Sequence, residues 1–267
     1  MKILFLGDIV GKPGRHAVRD LLPGAIADHG IDLVIANAEN AAGGSGLTAE
    51  IAQELIDYGI DGLTLGDHVW DQKGFAARIG DLDQVCRPLN LPTSAPGRGH
   101  LILTGRGGVR TGVLTLLGKE FMRPMAYPMV EVFERFMREN RGLAEVWMVE
   151  IHAEATSEKV AMGWFLDGKV AAVLGTHTHI PTADARVLPK GTAYLTDLGM
   201  SGPYTSVLGR EVGPILAKLK DGIPRPFPVA TEDVRLSGAL VEVDPINGGA
   251  RSIERFEEKV SEATGER

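Results

Sequence analysis

The stretch Ile31-Asp-Leu-Val-Ile-Ala-Asn-Ala-Glu-Asn40 decides how this chain folds. Residues 32–36 carry the apolar and β-branched side chains of a buried strand, and the run gives way to Glu39 and Asn40 just beyond it. Upstream, residues 2–6 read as an earlier strand followed at once by Asp8. Residues 18–29 between them read as a helix, interrupted near Pro23 and ended by Gly30. Downstream, after Ala41-Ala-Gly-Gly-Ser-Gly46, Thr48 is placed as an N-cap. Ile51, Ala52, Leu55 and Ile56 then form one helical face that stops near Gly59. Residues 62–65 make a third strand running into Asp67 and His68. This strand–helix–strand rhythm predicts an α/β fold with right-handed crossovers and a largely parallel sheet.

Further along, residues 101–103 and 113–117 read as paired strands around a turn at 105–108. Residues 129–140 have the pattern of an amphipathic helix. Strand signals return at 146–151, 170–174 and 193–196, with a helix over 157–166 between the first two, and again at 238–243. The charged tail from Glu257 is expected to fray. One domain over residues 1–267 is the economical reading, with room for a small inserted subdomain around 119–141.

Composition narrows the function. The chain is 44% hydrophobic and 24% charged, as an ordinary globular protein is. Its formal charge of -7 argues against an extended nucleic-acid surface, which needs an excess of Lys and Arg. A compact site for a small phosphate compound stays open, because metal ions supply positive charge locally. The lone Cys86 has no internal disulfide partner and reads as a buried thiol in a reducing compartment. The apolar opening Met-Lys-Ile-Leu-Phe-Leu is too short for a signal segment or a membrane span, so a cytoplasmic location is expected.

The polar residues fall where chemistry happens in such folds. Asp8, Glu39 with Asn40, Asp67 with His68, His152, and His177 with His179 each follow a different strand. Ligands bind outside the carboxyl ends of the strands in open α/β sheets. Taken singly, each has an ordinary explanation: Asp8 as a helix cap, Asn40 as a turn former, His152 as a satisfied core histidine. Five strand ends delivering metal-ligand types to one edge is a different matter. His177 and His179, two apart in extended chain, would face one cavity. His16, His29 and His100 have no such partners and read as surface or structural residues. Mixed carboxylate, carboxamide and imidazole donors suit Mn, Fe, Zn or Ni, and the absence of cysteine ligands argues against a structural zinc. Asp8, Glu39, Asp67 and Asn40 with the imidazoles of His152, His177 and His179 exceed what one ion needs, so two ions with Glu39 bridging are inferred. Two ions ~3.5–4 Å apart can hold a hydroxide for attack and neutralise phosphoryl oxygens.

The pieces Gly7-Asp8, Ala38-Glu-Asn40, Gly66-Asp-His68, His152 and Gly175-Thr-His-Thr-His179 resemble the calcineurin-like metallophosphoesterases. Longer stretches are similar to the bacterial YmdB-type branch: residues 31–40, His152-Ala-Glu-Ala-Thr-Ser-Glu-Lys159, Leu188-Pro-Lys-Gly-Thr-Ala-Tyr194 and Thr196-Asp-Leu-Gly-Met-Ser-Gly-Pro-Tyr204. The resemblance implies a four-layer α/β/β/α sandwich and a bimetal centre, often of iron or manganese, with zinc or magnesium as further candidates. It also implies hydrolysis of phosphodiesters, 2′,3′-cyclic nucleotides in particular. Carried over by position, Asp8, Glu39, Asn40 and His179 would hold one ion, and Glu39, Asp67, His152 and His177 the other. His68 would be the proton donor to the leaving oxygen, a role suited to imidazole near neutral pH.

Two departures stand out. The superfamily usually has His two residues after the first Asp; here it is Val10, a change shared with the YmdB-type branch, which uses Asn40 in compensation. The family pattern has Asn where this chain has Asp67, which adds a negative charge beside the ions. Tighter cation binding and a less acidic bound water should follow. The glycine-rich Ala41–Gly46 segment reads either as a phosphate cradle or as a turn, and Tyr204 as a residue that could stack on a base. A phosphomonoesterase or 5′-nucleotidase, and a nucleotide-responsive regulator with slight catalysis, are the alternative functions. The sequence leaves open assembly into a homo-oligomer.

Overall fold

The computed structural model describes residues 1–105 and 108–261. Its first sheet contains β1 (Lys2–Leu6), β2 (Asp8–Ile9), β3 (Leu33–Asn37), β4 (Gly62–Thr64), β5 (Val85–Cys86), β12 (Met200–Pro203), β13 (Val234–Val243) and β14 (Ala250–Lys259). The second contains β6 (His100–Thr104), β7 (Arg110–Leu117), β8 (Val146–His152), β9 (Ala172–Thr176), β10 (Arg186–Val187) and β11 (Ala193–Leu195). In the first sheet β1, β3, β4 and β5 run parallel, and β13 joins β1 antiparallel. In the second, β7, β8, β9 and β11 are parallel. The helices are α1 (Gly11–His29), α2 (Ala49–Asp57), α3 (Phe75–Arg78), α4 (Met129–Glu139), α5 (Thr156–Leu166) and α6 (Val212–Asp221).

Strand alternation produces the layers. Leu4 and Leu6 of β1, with Val34 and Ala36 of β3, face one way and meet Val18 and Leu22 of α1 and Leu55 of α2. Ile3, Phe5, Leu33 and Ile35 face the other way, onto Val113, Met148 and Leu174 of the second sheet. The far side of that sheet, with Leu114, Val149 and Ile151, is covered by Phe133 and Phe136 of α4 and Met162 and Leu166 of α5. The result is helix, sheet, sheet, helix. Phe5 is fully buried in the middle layer, where truncation to Ala costs roughly 3–5 kcal/mol.

Local differences from the sequence reading have physical causes. Pro23 does not interrupt α1, because Val18, Leu22 and Ala25 stay buried on both sides of it. Packing of that face outweighs one lost backbone hydrogen bond. The helix starts earlier, at Gly11, where Pro13 lies in the first turn and needs no N–H partner. Gly30 in the left-handed region closes it, and Thr48 caps α2 by accepting the Ile51 N–H at 3.2 Å. Glu257 and Glu258 do not fray: they belong to β14, which pairs with β13 and buries Phe256 on α1's side. Residues 106 and 107 of the expected turn at 105–108, and residues 262–267 of the tail, lie outside the described residues. Cys86 is buried, and burial pushes its thiol far above the ordinary range. Among the described residues no helix is long and apolar enough to cross a membrane.

Candidate metal centre

The parallel strands β1, β3, β4, β8 and β9 end on one edge, where the two sheets meet. Glu39, Asp67, His152 and His177 come together there, each with a ligand atom within 4.8 Å of the others. His152 Nε2 lies 3.1 Å from Glu39 Oε1 and 3.0 Å from Asp67 Oδ1, and His177 Nδ1 lies 3.2 Å from the same Asp67 oxygen. A second group adjoins it. Asn40 Nδ2 is 3.2 Å from His179 Nε2, 3.4 Å from Asp8 Oδ1 and 3.2 Å from Glu39 Oε1. A half-turn of that carboxamide exchanges Nδ2 for Oδ1, the donor a cation takes. Glu39 touches both groups.

Glycine permits the closeness. A Cβ on Gly66 would stand 2.3 Å from both Glu39 Oε2 and His152 Nε2. His177 and His179 do not lie on extended chain: β9 stops at Thr176, and both residues adopt left-handed backbone, with φ of 95° and 64°. They consequently reach the two groups separately rather than facing one point.

The donor set fits metal ions. Asp8 and Glu39 are buried and Asp67 nearly so, and their ion partners are imidazoles rather than Lys or Arg. Burial raises the Asp8 carboxyl above its ordinary value. Burial alone would do the same to Glu39 and Asp67, but His152 beside both, and His177 beside Asp67, hold them below the ordinary carboxylate range. Burial would depress His152; the Glu39 and Asp67 carboxylates more than reverse that. Each of the three imidazoles also has its outer nitrogen engaged. His152 Nδ1 meets Thr176 Oγ1 at 2.8 Å, His177 Nε2 meets Glu154 Oε2 at 3.1 Å, and His179 Nδ1 meets the Leu208 carbonyl at 3.2 Å. A proton held on the outer nitrogen leaves the inner lone pair for a cation, as metal-ligating histidines are arranged.

Residues 4–256 match the model of the YmdB-like protein family. The chain belongs to the YmdB-like family. A 2′,3′-cyclic-nucleotide 2′-phosphodiesterase of Bacillus subtilis (strain 168) is 41% identical to it over 256 residues, covering 96% of each chain. A crystal structure of a hypothetical protein from Thermus thermophilus superposes on this YmdB-like chain with a TM-score of 0.89 at 42% identity, covering 97% of this chain and 99% of that one. A phosphatase of Mycoplasma pneumoniae gives a TM-score of 0.91 at 33% identity, with 97% and 93% covered.

Around the predicted His68, sequence reasoning missed the residues that hold it in this YmdB-like chain. His68 donates its backbone N–H to Glu39 Oε2 at 3.1 Å, and its Nδ1 stands 2.7 Å from Asp71 Oδ2. Ser45 donates to the same Asp71 oxygen at 2.5 Å. Asp71 is exposed and carries no signal in the sequence. Glu150 does carry one, as a single acid inside the apolar run Val146–His152. It is buried and accepts hydrogen bonds from Asn37, Thr115 and Thr176. The Ala42 and Ser45 N–H groups of the glycine-rich loop bond within the loop, so they are not free to cradle a phosphate. The Tyr204 ring lies under the Arg235 guanidinium, 4.6 Å away, so that face is not free to stack on a base. His29 and His100 pack edgewise or tilted on Phe256 and Phe136, as structural residues do.

Proposed function

We propose that this chain is a phosphodiesterase acting on 2′,3′-cyclic nucleotides at a centre of two metal ions, working in the cytoplasm as a single domain. Asp8, Asn40 and His179 would hold one ion, Asp67, His152 and His177 the other, with Glu39 between them. The arrangement of the three imidazoles, each with its inner nitrogen turned to a carboxylate cluster and its outer one engaged, carries this reading. When bound, such ions draw charge from the phosphoryl oxygens and make a water a competent nucleophile.

The chain's own contribution is proton delivery and orientation. Asp71 and Ser45 hold His68 Nδ1, which turns Nε2 away as the free end of the ring. From there His68 would protonate the departing ribose oxygen. The Bacillus subtilis relative's activity supports the substrate class, and the Mycoplasma pneumoniae phosphatase favours a monoesterase as the second reading. One experiment separates them: elemental analysis of the purified protein, with hydrolysis of 2′,3′-cyclic, 3′,5′-cyclic and monoester nucleotides. Preferential opening of the 2′,3′-cyclic ring is expected. Preference for monoesters would favour the second reading, and no bound metal with no activity after adding Mn or Fe would overturn both.

A further inference from the structure

Lys159 and Asp197 form a buried ion pair that takes no part in either donor group. Lys159 sits in the first turn of α5, and Asp197 follows β11. Both side chains are 1% exposed, and Lys159 Nζ stands 2.7 Å from Asp197 Oδ2. A buried ion pair is weak as a stabilising device, since packed apolar residues of the same volume serve a fold as well or better. Its other contacts show what this one touches. Asp197 Oδ2 also accepts the Thr178 N–H at 3.2 Å and the Thr178 hydroxyl at 2.8 Å, while Oδ1 accepts the Gly199 N–H at 2.9 Å. Thr178 is the residue between His177 and His179.

The backbone around Thr178 needs holding. His177 and His179 are both non-glycine residues in left-handed conformation, which persists only where the surroundings impose it. Room for the pair comes from Gly175, whose Cβ would lie 1.7 Å from the Thr196 carbonyl oxygen and 3.0 Å from Lys159 Cδ. The stretches ending in Lys159 and beginning at Thr196, far apart in the chain, meet at this point.

We propose that Lys159 and Asp197 are positioning residues: acting through Thr178, their ion pair fixes the turn that aims His177 at one donor group and His179 at the other. This rests on the two-metal reading above. Because a single turn feeds both groups, releasing it weakens both ion sites together.

The test is a calorimetric Mn(II) titration of chelator-stripped full-length protein, alongside thermal denaturation. Thr178→Val removes the hydroxyl and keeps the ion pair, Thr178→Ser restores the hydroxyl, and Lys159→Met removes the cation. Thr192→Val is the structural control, since Thr192 Oγ1 donates to the Val170 carbonyl at 2.7 Å on a different loop. Thr178→Val and Lys159→Met should lose roughly 10–100-fold in affinity at both sites. Thr178→Ser should stay near wild type, and Thr192→Val should lose thermal stability with unchanged affinity. Wild-type affinity in Thr178→Val, or an equal loss in Thr192→Val, overturns the positioning role. Absence of Mn(II) binding by the wild-type protein overturns the metal reading itself, and the positioning role with it.

Discussion

Asn37 Nδ2 donates to Glu150 Oε1 at 2.7 Å, a buried hydrogen bond that ties the first sheet to the second beside His152. Asn37 Oδ1 accepts the Glu39 N–H at 2.9 Å, so one carboxamide spans both sheets and a proposed ligand. Asn37→Ala leaves the buried Glu39 N–H without its acceptor, worth roughly 1–3 kcal/mol, and takes one of two donors from Glu150 Oε1, which keeps the Thr176 hydroxyl. At about 2–4 °C per kcal/mol for a chain of this size, the melting temperature should fall by several degrees. Circular dichroism with chelator present checks this, and a melting point within a degree of wild type would show that the bond between the sheets is dispensable.

His68→Ala should lower kcat by roughly 10²–10⁴-fold, the range for removing a general acid, while metal content stays intact. Asp71→Asn keeps the ring but removes the carboxylate from Nδ1, and a smaller loss of about tenfold in kcat with little change in KM is expected. Metal analysis run beside the kinetics decides the point. Loss of metal in His68→Ala would mean that His68 holds a ligand in place rather than donating a proton.

Asp67 is the anion in a position where Asn would serve as a neutral donor. Its oxygen lies within 3.2 Å of both His152 and His177. Asp67→Asn should weaken metal affinity roughly tenfold or more, since one negative charge leaves the cluster. The same change should lower the pH optimum of hydrolysis, because bound cations keep more of their charge. An unchanged or raised optimum would count against that reasoning.

Away from the centre, Asp233 accepts from Arg235 Nη2 at 2.6 Å and Lys259 Nζ at 3.0 Å. Those partners hold its carboxyl at about 2, below the ordinary 3.8. A folded value below the unfolded one adds stability above pH 3.8, and that stability is lost as pH falls through the interval to 2. Solvent screening keeps the contribution below about 1 kcal/mol. Asp233→Asn, which tolerates the left-handed backbone there, should be slightly less stable at pH 7 and converge on wild type as pH falls below about 2. A difference that persists at low pH would point to packing instead of charge.

The donor residues that cluster in the fold were legible in the sequence, but not the residues that hold them in place. Asp8, Glu39, Asn40, Asp67 and the three histidines stood out because chemically reactive types followed apolar runs. Asp71, Ser45 and Thr178 did not, because an exposed acid or a loop hydroxyl looks the same whether or not it holds a histidine. The start of α1 was hidden by Gly-Lys-Pro-Gly, which reads as a breaker. In the fold, Gly14 is needed there because a Cβ would come within 2.3 Å of the Ser201 carbonyl oxygen. β14 was hidden by its outward charges, with Phe256 as the main sign of an inner face.

Gly66 contributes no functional group, yet the space it leaves is where Glu39 and His152 approach one another. Exchanging one proposed ligand for another that also donates an oxygen or nitrogen should alter the affinity of the centre by degrees. Adding even a methyl group at Gly66 would push both of these proposed ligands away at once. Mutational tolerance across this edge should therefore run opposite to chemical importance, with the residue that has no side chain the least replaceable of all.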